Sequence, residues 1–307
     1  MKNKAIFIMG ATASGKTNLA LQLSQYIPIE IISVDSAAIY KYLDIGSAKP
    51  TAAELQQCQH HLIDILSPVE SYSVAEFLDD SINLVNIINA KGKIPVFVGG
   101  TMMYYHSLIH GIHELPSSAT LREELLLESK EQGLQSLYQQ LLILDPIAAA
   151  KISCNDQQRI IRKLEVCKLL GSSMTDFLTD ENRIKLENCE VLSLVVAPEN
   201  REILYQKSEQ RFDKMILDGI IDEVRRVIDL YPEIDLTYNS MKSVGYRQVW
   251  QFLNDQITYD DMLIQAKTAT RHLVKRQYTW LRDVKGLNVR GIEDLSTIIA
   301  EVKHKHY

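Results

Sequence analysis

Short apolar runs recur along the chain and alternate with segments whose apolar residues have helical spacing. The runs cover residues 5–9, 29–34, 94–98 and 191–197, and each is mostly apolar. Continuous apolar runs of this length are typical of strands buried in a parallel sheet. The stretch 17–26, with Leu19 and Leu23 on one side, predicts an intervening helix. We therefore predict an α/β fold, a parallel sheet with helices on both faces.

The pattern changes between the third and fourth runs. Leucines at helical spacing fill residues 121–144, Asp145-Pro146 interrupts them, and Ile160, Leu164 and Leu169 indicate a further helix. We predict an inserted all-helical domain at 115–190, within a core domain formed by 1–114 and 191–307. After the fourth run we predict one long amphipathic helix, whose apolar face comprises Phe212, Met215, Ile216, Ile220, Val224 and Val227.

A glycine-rich loop follows the first predicted strand and opens the first predicted helix. It matches the G-x-x-x-x-G-K-[ST] template of a P-loop, in the context that the template requires. Backbone N–H groups and the helix N-terminus would bind phosphate, Lys16 would supply a cation, and the Thr17 hydroxyl suits Mg²⁺. The predicted phosphate-binding residues are Gly10, Ala11, Thr12, Ala13, Ser14, Gly15, Lys16 and Thr17.

Two further strand ends should lie beside this loop. The second run ends at Asp35-Ser36 and the third at Gly99-Gly100-Thr101. Ligands of open α/β sheets bind at the carboxyl ends of the strands, so Asp35 and Thr101 are candidate site residues. Each could instead cap a turn or helix. The third run has no acidic residue at its end, which argues against an ATP-driven motor.

A local cluster of basic residues is compatible with a polyanionic partner. The formal net charge of −6 excludes a uniformly basic nucleic-acid binder, but residues 262–290 hold seven Lys/Arg and one acid. Lys267, Arg271 and Lys275 recur every four residues with aromatic residues among them, a pattern compatible with RNA binding or with a solvated helix face. No signal peptide or membrane span is predicted. We expect a soluble, cytoplasmic monomer, with the tail 303–307 disordered.

Several longer motifs resemble those of the bacterial tRNA dimethylallyltransferases, over nearly the whole chain. Besides the P-loop, the motifs are ISVDSAAIY at 32–40, DIGSAKP at 44–50, HHLID at 60–64, VGGTM at 98–102, NDQQR at 155–159, VGYR at 244–247 and KRQYTWLR at 275–282. The P-loop alone is generic, whereas this set in this order is specific.

The resemblance implies transfer of a dimethylallyl group from its diphosphate to N6 of an adenosine. That adenosine lies 3′ of the anticodon in tRNAs that read codons beginning with U, and Mg²⁺ is the implied cofactor. By the same resemblance Asp35 is the general base, Thr101 contacts the leaving group and Arg211 reaches the diphosphate. The helical insertion would grip the anticodon stem.

The resemblance also implies four tRNA-contacting segments. Their residues are Asp35, Ser36, Ala37 and Ala38; Gln158, Arg159, Ile160, Ile161 and Arg162; Lys242, Ser243, Val244, Gly245, Tyr246 and Arg247; and Lys275, Arg276, Gln277, Tyr278, Thr279, Trp280, Leu281 and Arg282. Lys242 stands where the family more often has Arg, so a point charge replaces a bidentate fork there.

Three other functions remain compatible with the residues. An adenylate isopentenyltransferase would use the same chemistry on a free nucleotide, without needing the basic segment 275–282. A P-loop small-molecule kinase would explain the loop and the strand ends, but neither the basic segments nor the insertion. A non-enzymatic RNA- or nucleotide-binding module would leave Asp35 with no role beyond capping.

Overall fold

The computed structural model describes residues 2–179, 183–196, 201–283, 288–289 and 295–306. Its strands are β1 Asn3–Gly10, β2 Ile29–Val34, β3 His60–His61, β4 Ile94–Gly99, β5 Ile112–His113, β6 Arg183–Ile184, β7 Cys189–Val196 and β8 Asn288–Val289. Its helices are α1 Lys16–Ser24, α2 Ala52–Gln57, α3 Val74–Ala90, α4 Met102–His110, α5 Ala119–Gln132, α6 Leu134–Leu144, α7 Pro146–Ala150, α8 Gln157–Leu170, α9 Met174–Phe177, α10 Arg201–Asp218, α11 Ile220–Leu230, α12 Tyr246–Leu253, α13 Tyr259–Asp283 and α14 Leu295–His306.

A six-stranded parallel sheet confirms the predicted fold class. Its order is β3-β2-β4-β1-β7-β8. One face is covered by α1 and α14, since Ile6 and Ile8 share a core cluster with Leu19, Leu23 and Ile298. On the other face Phe7 packs against Phe97 and against Tyr105 of α4, with ring centroids 5.1 and 5.4 Å apart.

The four predicted runs correspond to β1, β2, β4 and β7, and β2, β4 and β1 are neighbours. Their carboxyl ends therefore lie side by side, which places Asp35, Thr101 and the glycine-rich loop at one edge. The strands that the sequence pattern missed, β3, β5, β6 and β8, are two residues long each, too short for any periodicity.

Chain contacts divide the protein into two compact units, residues 1–109 with 186–307 and residues 110–185. In the second unit, α5, α6, α7 and α8 enclose a core that includes Leu125, Leu141, Ile160 and Leu164. Besides its helices, this unit contains the antiparallel pair β5–β6, which the leucine pattern did not reveal. No helix within the described residues is long and apolar enough to cross a membrane.

The predicted long amphipathic helix is two helices, α10 and α11. Gly219 separates them with a φ of +98°, a left-handed conformation that strains other residues. Phe212 before the break and Val224 after it belong to the same core cluster. Periodicity detected the shared apolar face but not the turn, because the apolar residues of both helices pack into the same core.

The prediction of a disordered tail at 303–307 is wrong, because α14 continues to His306 and its residue Val302 is buried.

The buried carboxylate of Glu223 holds the backbone of the segment 44–50 by hydrogen bonds. Glu223 accepts the backbone N–H groups of Asp44 at 2.9 Å, Ile45 at 2.7 Å and Gly46 at 3.2 Å. Tyr246 donates its hydroxyl to the same carboxylate at 2.7 Å and accepts the Ser47 N–H at 3.0 Å. The segment 44–50 is thereby attached to α11 and α12.

Candidate active site

The glycine-rich loop turns tightly between β1 and α1. The Ser14 N–H donates to the Ala11 carbonyl at 3.3 Å, and the first α-helical bond runs from the Leu19 N–H to the Gly15 carbonyl. The N–H groups that precede this bond have no partner within the helix. Together with the positive end of the helix dipole, they form an anion-binding geometry. Phosphate binding by this loop stays a prediction.

Not all eight loop residues are available to a phosphate. Ala11 is buried against Leu204 and Val274, and the Thr12 N–H already donates to the side-chain Oε1 of Gln277 at 2.9 Å. The Thr12 N–H is therefore already occupied, and the phosphate-binding role of residues 10–17 stays a prediction. The template alone could not reveal this, because the competing partner lies 265 residues away in sequence.

Lys16 points back over the loop and donates to the Ala11 carbonyl at 2.7 Å. The residue is partly exposed, but burial of its ammonium group, followed by the nearby charge of Arg211, lowers its pKa to about 8, while Asp35 opposes the shift. An anion placed beside this group would favour the protonated form.

Asp35 and Thr101 meet at the sheet edge, as the strand order requires. Asp35 Oδ1 accepts the N–H groups of Ala37 at 2.8 Å and Ala38 at 3.3 Å, and the Ser36 N–H donates to Thr101 Oγ1 at 3.2 Å. Asp35 therefore caps its own turn, whereas Thr101 Oγ1 accepts an N–H of the neighbouring strand end. Within the described residues no hydrogen bond reaches Asp35 Oδ2, which leaves that oxygen able to accept a proton.

Arg211, on α10, completes the charged side of the site. Its Nη1 donates to Thr12 Oγ1 at 3.4 Å. Burial lowers the pKa of the guanidinium, and Asp35 opposes that shift. Arg211 remains charged at neutral pH, because the unperturbed pKa of arginine is far higher. The structure thus places two half-buried cations and one carboxylate beside the glycine-rich loop.

A cavity of about 490 Å³ adjoins these groups. Asp35, Thr101 and Arg211 contribute to its polar wall, and the aromatic and apolar lining comprises Tyr40, Tyr72, Tyr104, Phe212 and Met215. A second cavity of about 290 Å³ is lined by Lys16 and Thr17 and again by Asp35. The tyrosines of this wall are not among the site residues predicted from the sequence. Tyr40 lies in the motif at 32–40 and Tyr104 three residues after Thr101, and that proximity was the available signal.

The predicted RNA-contacting segments divide by burial. The side chains of several members are buried: Ala38, Ile160, Ile161, Tyr246, Gln277 and Leu281. Gly245 is buried as well. A motif is a continuous run of residues, whereas a helix exposes only one face, so these runs contain both buried and exposed positions, and their contact with tRNA stays a prediction.

The exposed positions retain a basic character. They include Ser36, Gln158, Arg159, Lys242, Arg247, Lys275, Arg276, Thr279 and Trp280. Ala37, Ser243, Val244 and Tyr278 are half-buried. Arg162 is only partly available, since it donates to Glu165 and to the Pro116 carbonyl, both at 2.9 Å. The side chain of Arg282, and residues 285 and 290, lie outside what the structure describes.

The stripe with a four-residue spacing is shorter than predicted. Lys267 pairs with Asp213 at 2.6 Å, and Arg271 pairs with Glu209 at 3.3 Å. Both acids belong to α10, so these two cations join α13 to its neighbouring helix. Lys275 and Arg276, further along α13, are exposed.

Comparisons with known proteins agree with one another. A family model described as IPP transferase matches residues 38–284, and one described as isopentenyl transferase matches residues 3–72. The chain is 43% identical over 292 residues to the tRNA dimethylallyltransferase of Chromobacterium violaceum, which covers 95% of this chain and 90% of that protein.

Solved structures resemble the chain over its full length. The full-length tRNA isopentenylpyrophosphate transferase of Bacillus halodurans is 32% identical, with a TM-score of 0.71 over 99% of this chain and 97% of that one. A eukaryotic dimethylallyltransferase acting on tRNA is 26% identical, with a TM-score of 0.79 over 99% of this chain and 77% of that one.

Proposed function

The chain belongs to the IPP transferase family, and we propose that it transfers a dimethylallyl group from dimethylallyl diphosphate to a tRNA adenosine. The acceptor atom is N6 of the adenosine 3′-adjacent to the anticodon, in tRNAs that read codons beginning with U. The observation that carries the proposal is the edge where Asp35 and Thr101 meet beside the glycine-rich loop, with no acidic residue at the end of β4.

Asp35 serves as the general base. An adenine N6 amine is a weak nucleophile, because its lone pair is delocalised into the ring. Attack of N6 on the allylic carbon forms an N–C bond and breaks the C–O bond to the diphosphate, which leaves with the electron pair. The excess proton on N6 passes to Asp35 Oδ2, while Oδ1 stays in its turn and orients the carboxylate.

The leaving diphosphate requires positive charge and hydrogen-bond donors that are in place beforehand. Residues 13–17 supply N–H groups, and Lys16 and Arg211 supply two cations in a partly desolvated site. Thr101 contacts the leaving group from the carboxyl end of the neighbouring strand, β4. The tyrosine-lined cavity takes the prenyl chain and the extruded base and limits the access of water.

Mg²⁺ fits the oxygen donors beside the loop. The described residues contain no group of three or more His, Cys, Asp or Glu able to hold a metal ion. Mg²⁺ does not require such a cluster, since it keeps several waters and binds largely through substrate phosphates. The Thr17 hydroxyl, which lines the smaller cavity, would be a ligand of the ion, and the ion would supply positive charge to stabilise the leaving diphosphate.

The tRNA docks on the exposed basic positions. On α13 these are Lys275 and Arg276, on the segment before α12 they include Lys242, and on the helical unit they include Arg159. The helical unit grips the anticodon stem. Bases in a single-stranded loop can be unstacked at low cost, which matches an acceptor next to the anticodon.

The proposal is tested by a transfer assay with purified protein, Mg²⁺ and labelled dimethylallyl diphosphate. We expect label on N6 of the target adenosine in an anticodon stem-loop, and none when that adenosine is replaced by guanosine. Labelled AMP with an inert stem-loop would favour a free-nucleotide enzyme. Consumption of ATP as donor, with no prenyl transfer, would favour a kinase.

The pKa of Lys16 predicts a pH dependence of donor binding. Because protonated Lys16 binds the diphosphate, affinity should be retained below pH 8 and fall by up to about tenfold per pH unit as the pH rises above it. Calorimetric titration of dimethylallyl diphosphate between pH 6.5 and 9.5 measures this. Lys16→Met is the control, whose weaker binding should lack the loss above pH 8. Wild-type affinity that stays constant to pH 9.5 would contradict the assignment.

A further inference from the structure

We propose that Gln277 is a positioning residue, which fixes the glycine-rich loop to the edge of the sheet and thereby sets its affinity for the donor diphosphate. The side chain is 7% exposed. Its Oε1 accepts the Thr12 N–H and its Nε2 donates to the Gly100 carbonyl, both at 2.9 Å. An N–H can only donate and a carbonyl can only accept, so these partners fix the orientation of the amide. The inference rests on the proposed function, because it concerns how the diphosphate site is held.

The space around this amide is matched to it. A Cβ added at Gly100 would lie 2.3 Å from Gln277 Nε2, so any larger residue at 100 would displace the amide. Gly100 directly precedes Thr101, and Thr12 shares a hydrogen bond with Arg211. One side chain therefore connects the two segments that are expected to contact the leaving group, and it comes from a third element, α13.

A second contact one turn earlier on α13 supports the same loop. Val274 is fully buried and packs against Ala11. The pair Val274 and Gln277 thus holds consecutive loop residues, one by packing and one by hydrogen bonding. Lifting the loop from β4 would break the hydrogen bonds of two partly buried backbone groups, the Thr12 N–H and the Gly100 carbonyl, at a cost in free energy.

A loop fixed in this way is preorganised for its ligand. Donors already aligned in the free protein need no ordering when the anion binds, and affinity rises accordingly. The Thr12 N–H does not itself face the ligand, because Gln277 occupies it. Gln277 therefore acts through the loop rather than on the diphosphate, and it is distinct from its exposed neighbours Lys275 and Arg276 on the same helix.

Gln277→Met tests the inference, since methionine matches the length and removes both hydrogen bonds. We expect the Kd of dimethylallyl diphosphate with Mg²⁺, measured by calorimetry, to rise at least tenfold, while the affinity for the stem-loop stays within threefold. The KM for the donor should rise more than kcat falls. The matched control is Gln248→Met, because Gln248 is equally buried and also accepts one backbone N–H, that of Gly245 at 2.9 Å. Its donor affinity should equal that of the wild type.

A double-mutant cycle provides a second, independent test. Gly100→Ala should weaken donor binding by forcing the amide aside, and this variant also serves if Gln277→Met does not fold. Adding Gly100→Ala to Gln277→Ala should cost little more, because the clashing amide is absent. Fully additive losses would overturn the inference.

The outcomes separate the inference from the proposed function. A wild-type protein that does not bind dimethylallyl diphosphate would overturn the function. A wild type that binds it, with Gln277→Met binding within twofold, would overturn the inference and leave the function standing. A lower melting temperature with unchanged donor affinity would mean that Gln277 only stabilises the fold, and would also overturn the inference.

Discussion

Asp35→Asn should lower kcat by about 10² to 10⁴-fold, the usual contribution of a general base. Asparagine retains an oxygen that can accept the N–H groups of Ala37 and Ala38, so the turn should survive. What is lost is the ability to take the proton from N6. Single-turnover transfer to the anticodon stem-loop measures the chemical step directly. Binding of the stem-loop should stay within about tenfold, because a base acts chiefly on the transition state.

The comparison with Asp35→Ala separates the two roles of this carboxylate. Alanine removes the base and the cap together, so it should add a loss of thermal stability of about 0.5–2 kcal/mol to a similar loss of kcat. If Asp35→Asn turns over at the wild-type rate, Asp35 is a capping residue only, which is the alternative that the sequence left open.

Arg211→Gln should lower kcat by about 10² to 10³-fold, the typical cost of losing one preorganised group that stabilises developing charge. Arg211 is half-buried beside the loop and lines both cavities, so solvent can replace its charge only in part. The loss should appear in the chemical step and also in the Kd of dimethylallyl diphosphate. Rapid-quench kinetics at saturating stem-loop, together with calorimetry, separates the two effects.

Arg211→Lys is the matched variant for this position. It retains a positive charge but not the planar fork, so it should recover part of the lost activity. Recovery to the wild-type level would mean that charge alone matters. No recovery would indicate that the geometry of the guanidinium, including its contact with Thr12, is the essential feature. An Arg211→Gln variant with unaltered kcat and donor affinity would remove Arg211 from the site.

The exposed basic residues distinguish transfer to tRNA from transfer to a free nucleotide. An acceptor as small as a free nucleotide would not need the exposed positions on α13 and α8. Replacement of Lys275 or Arg276 by Ala should therefore leave donor affinity unchanged and weaken stem-loop binding, with a smaller salt dependence for the variant. Lys267 and Arg271 are poorer targets, because they form ion pairs with Asp213 and Glu209 of α10.

The sequence by itself determined the parts of this protein that depend on local order. Four strand runs, the glycine-rich loop between β1 and α1, and the positions of Asp35 and Thr101 at strand ends all follow from periodicity and from the rule that parallel strands end at one edge. These predictions needed no knowledge of distant contacts, because a buried strand can be recognised from the apolar residues of its own segment.

Tertiary structure decided what depends on partners far away in the chain. The break at Gly219 was invisible because α10 and α11 share one apolar face. From the sequence, all residues of a run such as 275–282 were predicted to contact tRNA. In the folded helix Gln277 is buried and bonds to Thr12 and Gly100, whereas Lys275 is exposed. A helix distributes neighbouring residues over opposite faces, and only packing determines which of those faces meets the core, the ligand or the solvent.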